Sequence, residues 1–206
     1  MSDRMALKTA IDLIHVPSQV RLLRMEPLPD GVVTLLRIAA GDEEAENTAS
    51  LLADRPRDVV RHAATFFIEQ ILFAPNADSY RVLGTNARAS PSDLRRNVAL
   101  LLRWLHPDLD SRGDRSVFVG RVTAAWNDLK TPERRAVYDE ALRSLGTGRK
   151  SLSRNGKSRS GRRRSGKLFG QVGSNSGGRN GQMLRDADRM GFFRRALAVL
   201  LHRPPQ

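Results

Sequence analysis

The strongest constraint in this sequence is a pair of apolar stripes, each at helical spacing, separated by a stretch that a helix does not cross. At about 100° per residue, Leu94, Val98, Leu101, Leu102 and Leu105 fall on one side of the segment Ser90 to Leu105, and Arg95, Arg96, Ala99, Leu100 and Arg103 on the other. Ser90 occupies an N-cap position, Pro91 the first helical position and Asp93 the first turn, a strong helix start. Downstream, Asp114 can cap a second helix in which Phe118, Val122, Ala125 and Leu129 recur as a single stripe. Two one-sided helices joined by a short connection bury their stripes against each other, which predicts an antiparallel helical hairpin. The connection, residues 106 to 113, begins with a proline that pushes the residue before it out of helical geometry, and it ends in Gly113. His106 and Asp108 are therefore expected on an exposed turn.

A His-Pro-Asp tripeptide by itself is usually only a turn, since Pro and Asp are turn formers. Catalysis by His106 as a general base requires a nucleophile and an orienting group, and no nucleophile motif stands beside it. His15, His62 and His202 are far apart and lack acids at metal-ligand spacing, so they are expected to be ordinary surface or core histidines.

The order of elements around the tripeptide is more specific. Tyr80-Arg81-Val82-Leu83-Gly84, the Pro91 helix, His106-Pro107-Asp108, Ala125-Trp126 with Leu129, and Pro132-Glu133-Arg134-Arg135-Ala136-Val137-Tyr138-Asp139 together resemble the J-domain of the DnaJ co-chaperone family. The resemblance runs from about Ser79 to Leu145, roughly a third of the chain. It implies a short first helix, a long antiparallel pair and a fourth helix. It also implies that His106, Pro107 and Asp108 engage a DnaK-type ATPase chaperone and trigger its ATP hydrolysis, with Arg95, Arg96, Arg103, Arg134 and Arg135 as further chaperone-binding positions. The chain departs from the family pattern where Val98, Ala99 and Leu100 stand at positions that are commonly aromatic or basic, so the basic patch of that helix is thinned.

Composition bounds the rest. A chain of 206 residues with 40% hydrophobic content can bury a core in part of its length as one or two small domains. It has no cysteine, which excludes disulfides and the cysteine-ligated zinc region of larger DnaJ proteins. No leader-like pattern and no apolar run of membrane-spanning length occur, which leads to the expectation of a cytoplasmic protein without a transmembrane segment. No metal or cofactor is expected, and the function expected is binding and activation, not enzymatic catalysis.

Before the resemblance begins, the chain is punctuated into short helices. Met5, Leu7, Ala10, Ile11 and Ile14 form a stripe ending before Pro17, and Val32 to Ala39 form an apolar segment stopped at Gly41. Asp42 with Glu43, Glu44 and Glu46 forms an N-cap and acidic first turn, suited to the helix dipole, of a helix running to about Ala53. Val59, Ala63, Phe66, Phe67, Ile71 and Leu72 define a longer helix closed by Pro75, and Asp78 caps a short one ended by Gly84. With so few residues between those two, the N-terminal helices and the hairpin are expected to pack together. Leu100 and Trp104, beside Arg96 and Arg103, support this, because an exposed Trp and Leu pair usually has a partner.

The charge lies in the tail. Residues 141 to 185 contain twelve Lys or Arg and no acid, whereas residues 1 to 140 carry a net charge of −1. Ten of the sixteen glycines and seven serines fall in residues 146 to 182, which are expected to be disordered. Lys157, Arg159, Arg162, Arg163, Arg164 and Lys167 can neutralise phosphates, giving salt-sensitive nucleic-acid binding, or can simply solvate a linker. Met183 to Arg203 has the pattern of a basic amphipathic helix, able to dock on its own N-terminal domain, meet a partner or lie on an anionic membrane surface. The expected organisation is all-α: an N-terminal helical region at 1–76, a J-domain at 77–145, a basic linker at 146–182 and a C-terminal helix at 183–206. A second reading makes the chain a basic nucleic-acid-binding or scaffolding protein whose J-domain has lost its chaperone partner.

Overall fold

The computed structural model describes residues 3–106 and 114–154, and among them every regular element is helical. The N-terminal region contains α1 (Asp3–His15), the short α2 (Val20–Leu23), α3 (Val32–Ala39), α4 (Glu43–Ala53) and α5 (Arg57–Phe67). The second region contains the short α6 (Ser79–Val82), α7 (Pro91–Trp104), α8 (Val119–Leu129) and α9 (Pro132–Arg154).

Local chemistry sets most of these boundaries. After α3, Gly41 sits in the left-handed region at φ +75°, so the Asp42 N–H reaches back to the Arg37 carbonyl at 3.1 Å and closes the helix end. The Asp42 carboxylate then accepts from the Ala45 N–H at 3.1 Å and starts α4. Asp78 caps α6 through the Arg81 N–H at 2.9 Å. Ser90 and Asp93 form a reciprocal capping box at the start of α7.

One apolar core runs through both regions. It joins Leu7 and Leu13 of α1, Leu35, Leu36 and Ile38 of α3, Val60 and Phe67 of α5, and Leu94, Val98 and Leu101 of α7 to Val122, Ala125 and Leu129 of α8. The core therefore includes the hairpin and the N-terminal helices, as their short spacing implied. Gly84, at φ +65°, marks the closest approach: a Cβ there would stand 3.0 Å from Val32 Cγ1 and 3.3 Å from Leu36 Cδ1. Arg81 donates to the Leu23 and Glu26 carbonyls and so ties the two regions together, while Arg24 donates to the Gln70 carbonyl at 2.8 Å within the N-terminal region.

Four features differ from the sequence expectations. The helix through Val59 to Leu72 is not uniform: after Phe67 it widens into a π-helical turn (Ile68–Leu72), in which the Phe73 N–H bonds to the Ile68 carbonyl. Ile68, Ile71, Leu72 and Phe73 are all buried there, more than one α-helical face would bury. The second hairpin helix starts with a 3₁₀ turn (Asp114–Phe118), so α8 begins one residue after Phe118, whose ring is stacked on Phe73. Helix α9 continues past the expected boundary at 145, through Gly146 and Gly148 to Arg154, so the linker expected from residue 146 is helical at its start. Each interior glycine costs roughly 1 kcal/mol, but the Arg, Lys and Leu residues that follow are good helix formers. Finally, Asn97 lies on the buried side of α7, where its Nδ2 donates to the Leu83 carbonyl at 2.9 Å.

Candidate functional site

Helix α7 displays the exposed stripe that the hairpin pattern implies. Arg95, Arg96, Ala99 and Arg103 are exposed, and Leu100 is half-buried against the core. The side chains of Arg95 and Arg103 make no hydrogen bond or ion pair with any described residue. Arg96 pairs with Asp93 at 2.9 Å on the exposed face. The Ser90 hydroxyl, the Ser90 N–H and then Arg96 hold the Asp93 carboxyl below its ordinary range, so it remains ionised beside the stripe.

At the end of α7, His106 is half-buried and its N–H bonds to the Arg103 carbonyl at 3.1 Å. This bond closes the last helical turn and places His106 directly after the arginine stripe. Pro107 and Asp108, with residues 109 to 113, lie outside the described residues, as do Arg159, Arg162, Arg163, Arg164, Lys167 and the segment 183–206.

The basic residues after α8 divide into two kinds. Arg134 is exposed and donates to the Asn127 carbonyl at 3.1 Å. Arg135 is turned inward: it donates to Tyr80 Oη at 2.9 Å, to the Ala89 carbonyl at 2.9 Å and to the Ala87 carbonyl at 2.6 Å. Its guanidinium also lies over the Tyr80 ring, 5.3 Å from the centroid. Tyr80 in turn donates to Asp139 Oδ1 at 2.7 Å, and burial followed by this bond pushes its hydroxyl pKa up to about 12. Arg135 therefore fastens α9 to the α6–α7 connection, apart from the α7 stripe. Ser79 fastens the same end, with its hydroxyl on Asp128 Oδ2 at 2.6 Å and its N–H on Tyr138 Oη at 2.7 Å.

The opposite, His106 end contains Trp104, packed against the N-terminal helices as its place beside Leu100 led one to expect, together with Glu69, Phe73, Arg115 and Arg121, which the sequence did not single out. Trp104 is only 1% exposed and stacks beside Phe73 of the N-terminal region and Phe118, with ring centroids 5.9 and 6.4 Å away. The Arg115 guanidinium lies 4.9 Å from the Trp104 centroid and 3.6 Å from Glu69 Oε1. Arg121 donates to the Phe73 and Ala74 carbonyls at 2.5 and 2.7 Å. Because Trp104 ends α7 and Phe118 precedes α8, their stacking makes these helices an antiparallel hairpin. The signal available for this cluster was the aromatic Phe73 close before Pro75.

Among the described residues, no cluster of three His, Asp or Glu side chains is placed to hold a metal ion, and no helix is long and apolar enough to cross a membrane. Around His106 the described side chains supply no activated nucleophile. What the described residues offer is a cationic, partly apolar helix face that ends at His106.

Comparison with known proteins finds relatives over about a third of the chain. The chain is 35% identical over 71 residues to the chaperone protein DnaJ 1 of Mycobacterium leprae (strain TN), covering 34% of this chain and 18% of that protein. It is 35% identical over 63 residues to the chaperone protein DnaJ of Leifsonia xyli subsp. xyli (strain CTCB07), covering 31% and 17% of the two chains. Against the DnaJ of Rickettsia prowazekii (strain Madrid E) it is 34% identical over 62 residues, covering 30% and 17%. No family model matches the chain, and no solved structure matches it significantly. The chain thus spans less than a fifth of the length of these relatives, and what it shares with them is a DnaJ-like, J-domain region within an all-helical architecture.

Proposed function

We propose that this protein is a J-domain co-chaperone: it binds a DnaK-type ATPase chaperone through the α7 stripe and the His106-Pro107-Asp108 turn, and stimulates ATP hydrolysis by that partner. The observation that carries this reading is the continuity of Arg95, Ala99 and Arg103 along one exposed face ending at His106. Among the described residues the side chains of Arg95 and Arg103 have no hydrogen-bond or ion-pair partner, in contrast to Arg135. A cation held on a rigid helix without an internal partner is available to an acidic surface, and long-range attraction of that kind raises the association rate more than the final affinity. The absence of aromatic or basic side chains at Ala99 and Leu100 makes this a thin patch, suited to transient binding. The apolar side of α7 cannot contribute to docking, since Val98, Leu101 and Trp104 are in the core.

The test is the steady-state ATPase rate of a DnaK-type chaperone with increasing amounts of this protein. Asp108→Asn and His106→Gln are expected to abolish stimulation with little change in helicity or melting temperature, because each exchanges one polar side chain for another of nearly the same size. Equal stimulation by the parent and both variants excludes the reading and leaves the basic tail as the next place to look for function.

A further inference from the structure

We infer that the N-terminal helical region is a positioning device for the turn that begins at His106, acting through a clamp that grips both stems of that turn. This inference rests on the co-chaperone reading and assigns a role to the part of the chain before the J-domain-like region. One stem ends at Trp104 and the other returns at Arg115, Phe118 and Arg121, and all four meet the end of the π-helical turn. Phe73 stacks on Phe118 with centroids 4.6 Å apart and on Trp104 at 5.9 Å, so a single aromatic side chain bridges the two stems. Glu69, one turn earlier, pairs with Arg115 while that guanidinium lies over the Trp104 ring. Arg121 takes the two carbonyls that follow, those of Phe73 and Ala74, and its guanidinium stands 5.9 Å from the Phe73 ring.

The widened turn is what makes this possible. An α-helical continuation through Ile68 to Leu72 would rotate Glu69 and Phe73 relative to their present directions, whereas the extra residue in the turn presents both toward the stems. The parts of the clamp are also of the right physical kind. Stacked rings fix distance and tilt, and a partly buried ion pair fixes direction. A hairpin closed only by its own two helices leaves its connecting turn attached at two independent ends. Here the two ends share Phe73 as a common neighbour, so His106 departs from a fixed base. Glu69 and Phe73 are positioning residues in this account, since they touch the stems and not the chaperone.

The test compares Glu69→Gln and Phe73→Leu with the parent, as full chains, in the same ATPase titration, with Asp108→Asn as the control. Binding and stimulation separate in that titration as the half-saturating concentration and the maximal rate. The arginine stripe is untouched, so the half-saturating concentration should stay within about twofold while the maximal stimulation falls on the order of tenfold, the scale expected when a reacting arrangement is misplaced by a fraction of an ångström to an ångström. In a Trp126→Phe background, the single remaining indole N–H resonance, that of Trp104, should shift in both variants while the melting temperature of Glu69→Gln is unchanged. A parent that stimulates and variants that match it in maximal rate overturn the clamp while leaving the co-chaperone reading in place. Loss of stimulation in strict proportion to loss of folded protein also overturns it, because that is a structural effect alone. If Asp108→Asn stimulates as the parent does, the co-chaperone reading fails first and the clamp with it.

Discussion

Replacing Gly84 by alanine should destabilise the protein through two separable effects, and the second exists only if the N-terminal helices are docked on the J-domain-like region. Gly84 has φ +65°, where an L residue with a Cβ costs about 1–2 kcal/mol. Reduced freedom of the unfolded chain returns about 0.4–1 kcal/mol of this. The new methyl group would also stand 3.0 Å from Val32 Cγ1, 3.3 Å from Leu36 Cδ1 and 3.4 Å from Leu72 Cδ1, all buried side chains of the N-terminal region. Overpacking of this type adds about 1–3 kcal/mol. The net expectation is about 2–3 kcal/mol, or a fall of roughly 5–10 °C in melting temperature for a folded unit of this size. Urea denaturation followed by circular dichroism measures it, with an unchanged slope as the sign that the native fold is retained. The decisive comparison is a double-mutant cycle with Val32→Ala. Making room at Val32 should recover on the order of 1 kcal/mol of the Gly84→Ala loss, whereas the backbone effect is indifferent to it. Additive single effects in the cycle refute the close approach of α3 to the end of α6, and a Gly84→Ala protein as stable as the parent refutes both parts of the reasoning.

Two further outcomes follow from the charges. Asp42 is held below its ordinary carboxylate range first by the Arg37 hydrogen bond at 2.7 Å and then by the Ala45 N–H, and Asp93 first by the Ser90 hydroxyl, so both carboxyls are more acidic folded than unfolded. Their stabilising contribution is complete above the ordinary value of 3.8 and is lost as pH falls through the lower folded values; an Asp42→Asn, Asp93→Asn protein should lose less melting temperature than the parent between about pH 4 and pH 2, and parallel curves would contradict the assignment. For the tail, binding to a random duplex and to single-stranded RNA should weaken steeply with salt in the full chain and be absent in a chain stopped at Arg154; retained affinity in the shorter chain places any polyanion site within the helical part.

Much of the helical framework was legible because it is enforced by local rules. Asp42, Asp78 and Ser90 each accept the N–H three residues ahead, and Gly41 and Gly84 each take the left-handed conformation that ends a helix. Such contacts span only a few residues, so the sequence alone contains both partners. The α7 stripe was legible for a similar reason, since its period separates Leu94, Val98 and Leu101 from Arg95, Ala99 and Arg103. The π turn was not legible, because an extra residue in a helix is favoured by what it packs against; Phe73 has its reason in Trp104 and Phe118, far away in sequence. Asn97 falls on the buried stripe by spacing but was overlooked as polar, and its reason is the carbonyl of Leu83 that would otherwise be buried without a donor.

The arginines show where residue type stops being informative. Arg24, Arg81, Arg121 and Arg135 each donate to backbone carbonyls on another element, satisfying acceptors near helix ends with a planar group that has several donors. In composition they are indistinguishable from Arg95 and Arg103, and a count of positive charge assigns all six to an acidic partner. Only geometry separates those whose charge is already committed from those still able to attract one. The separation also explains how a thinned patch can remain specific. Arg135 keeps its charge, but its guanidinium is held by Tyr80 and the Ala87 and Ala89 carbonyls, so it is not free to reach toward another surface. Arg95 and Arg103 stand free on one helix face that ends at His106 among the described residues, and the rings of Phe73, Trp104 and Phe118 hold the end of that helix in place.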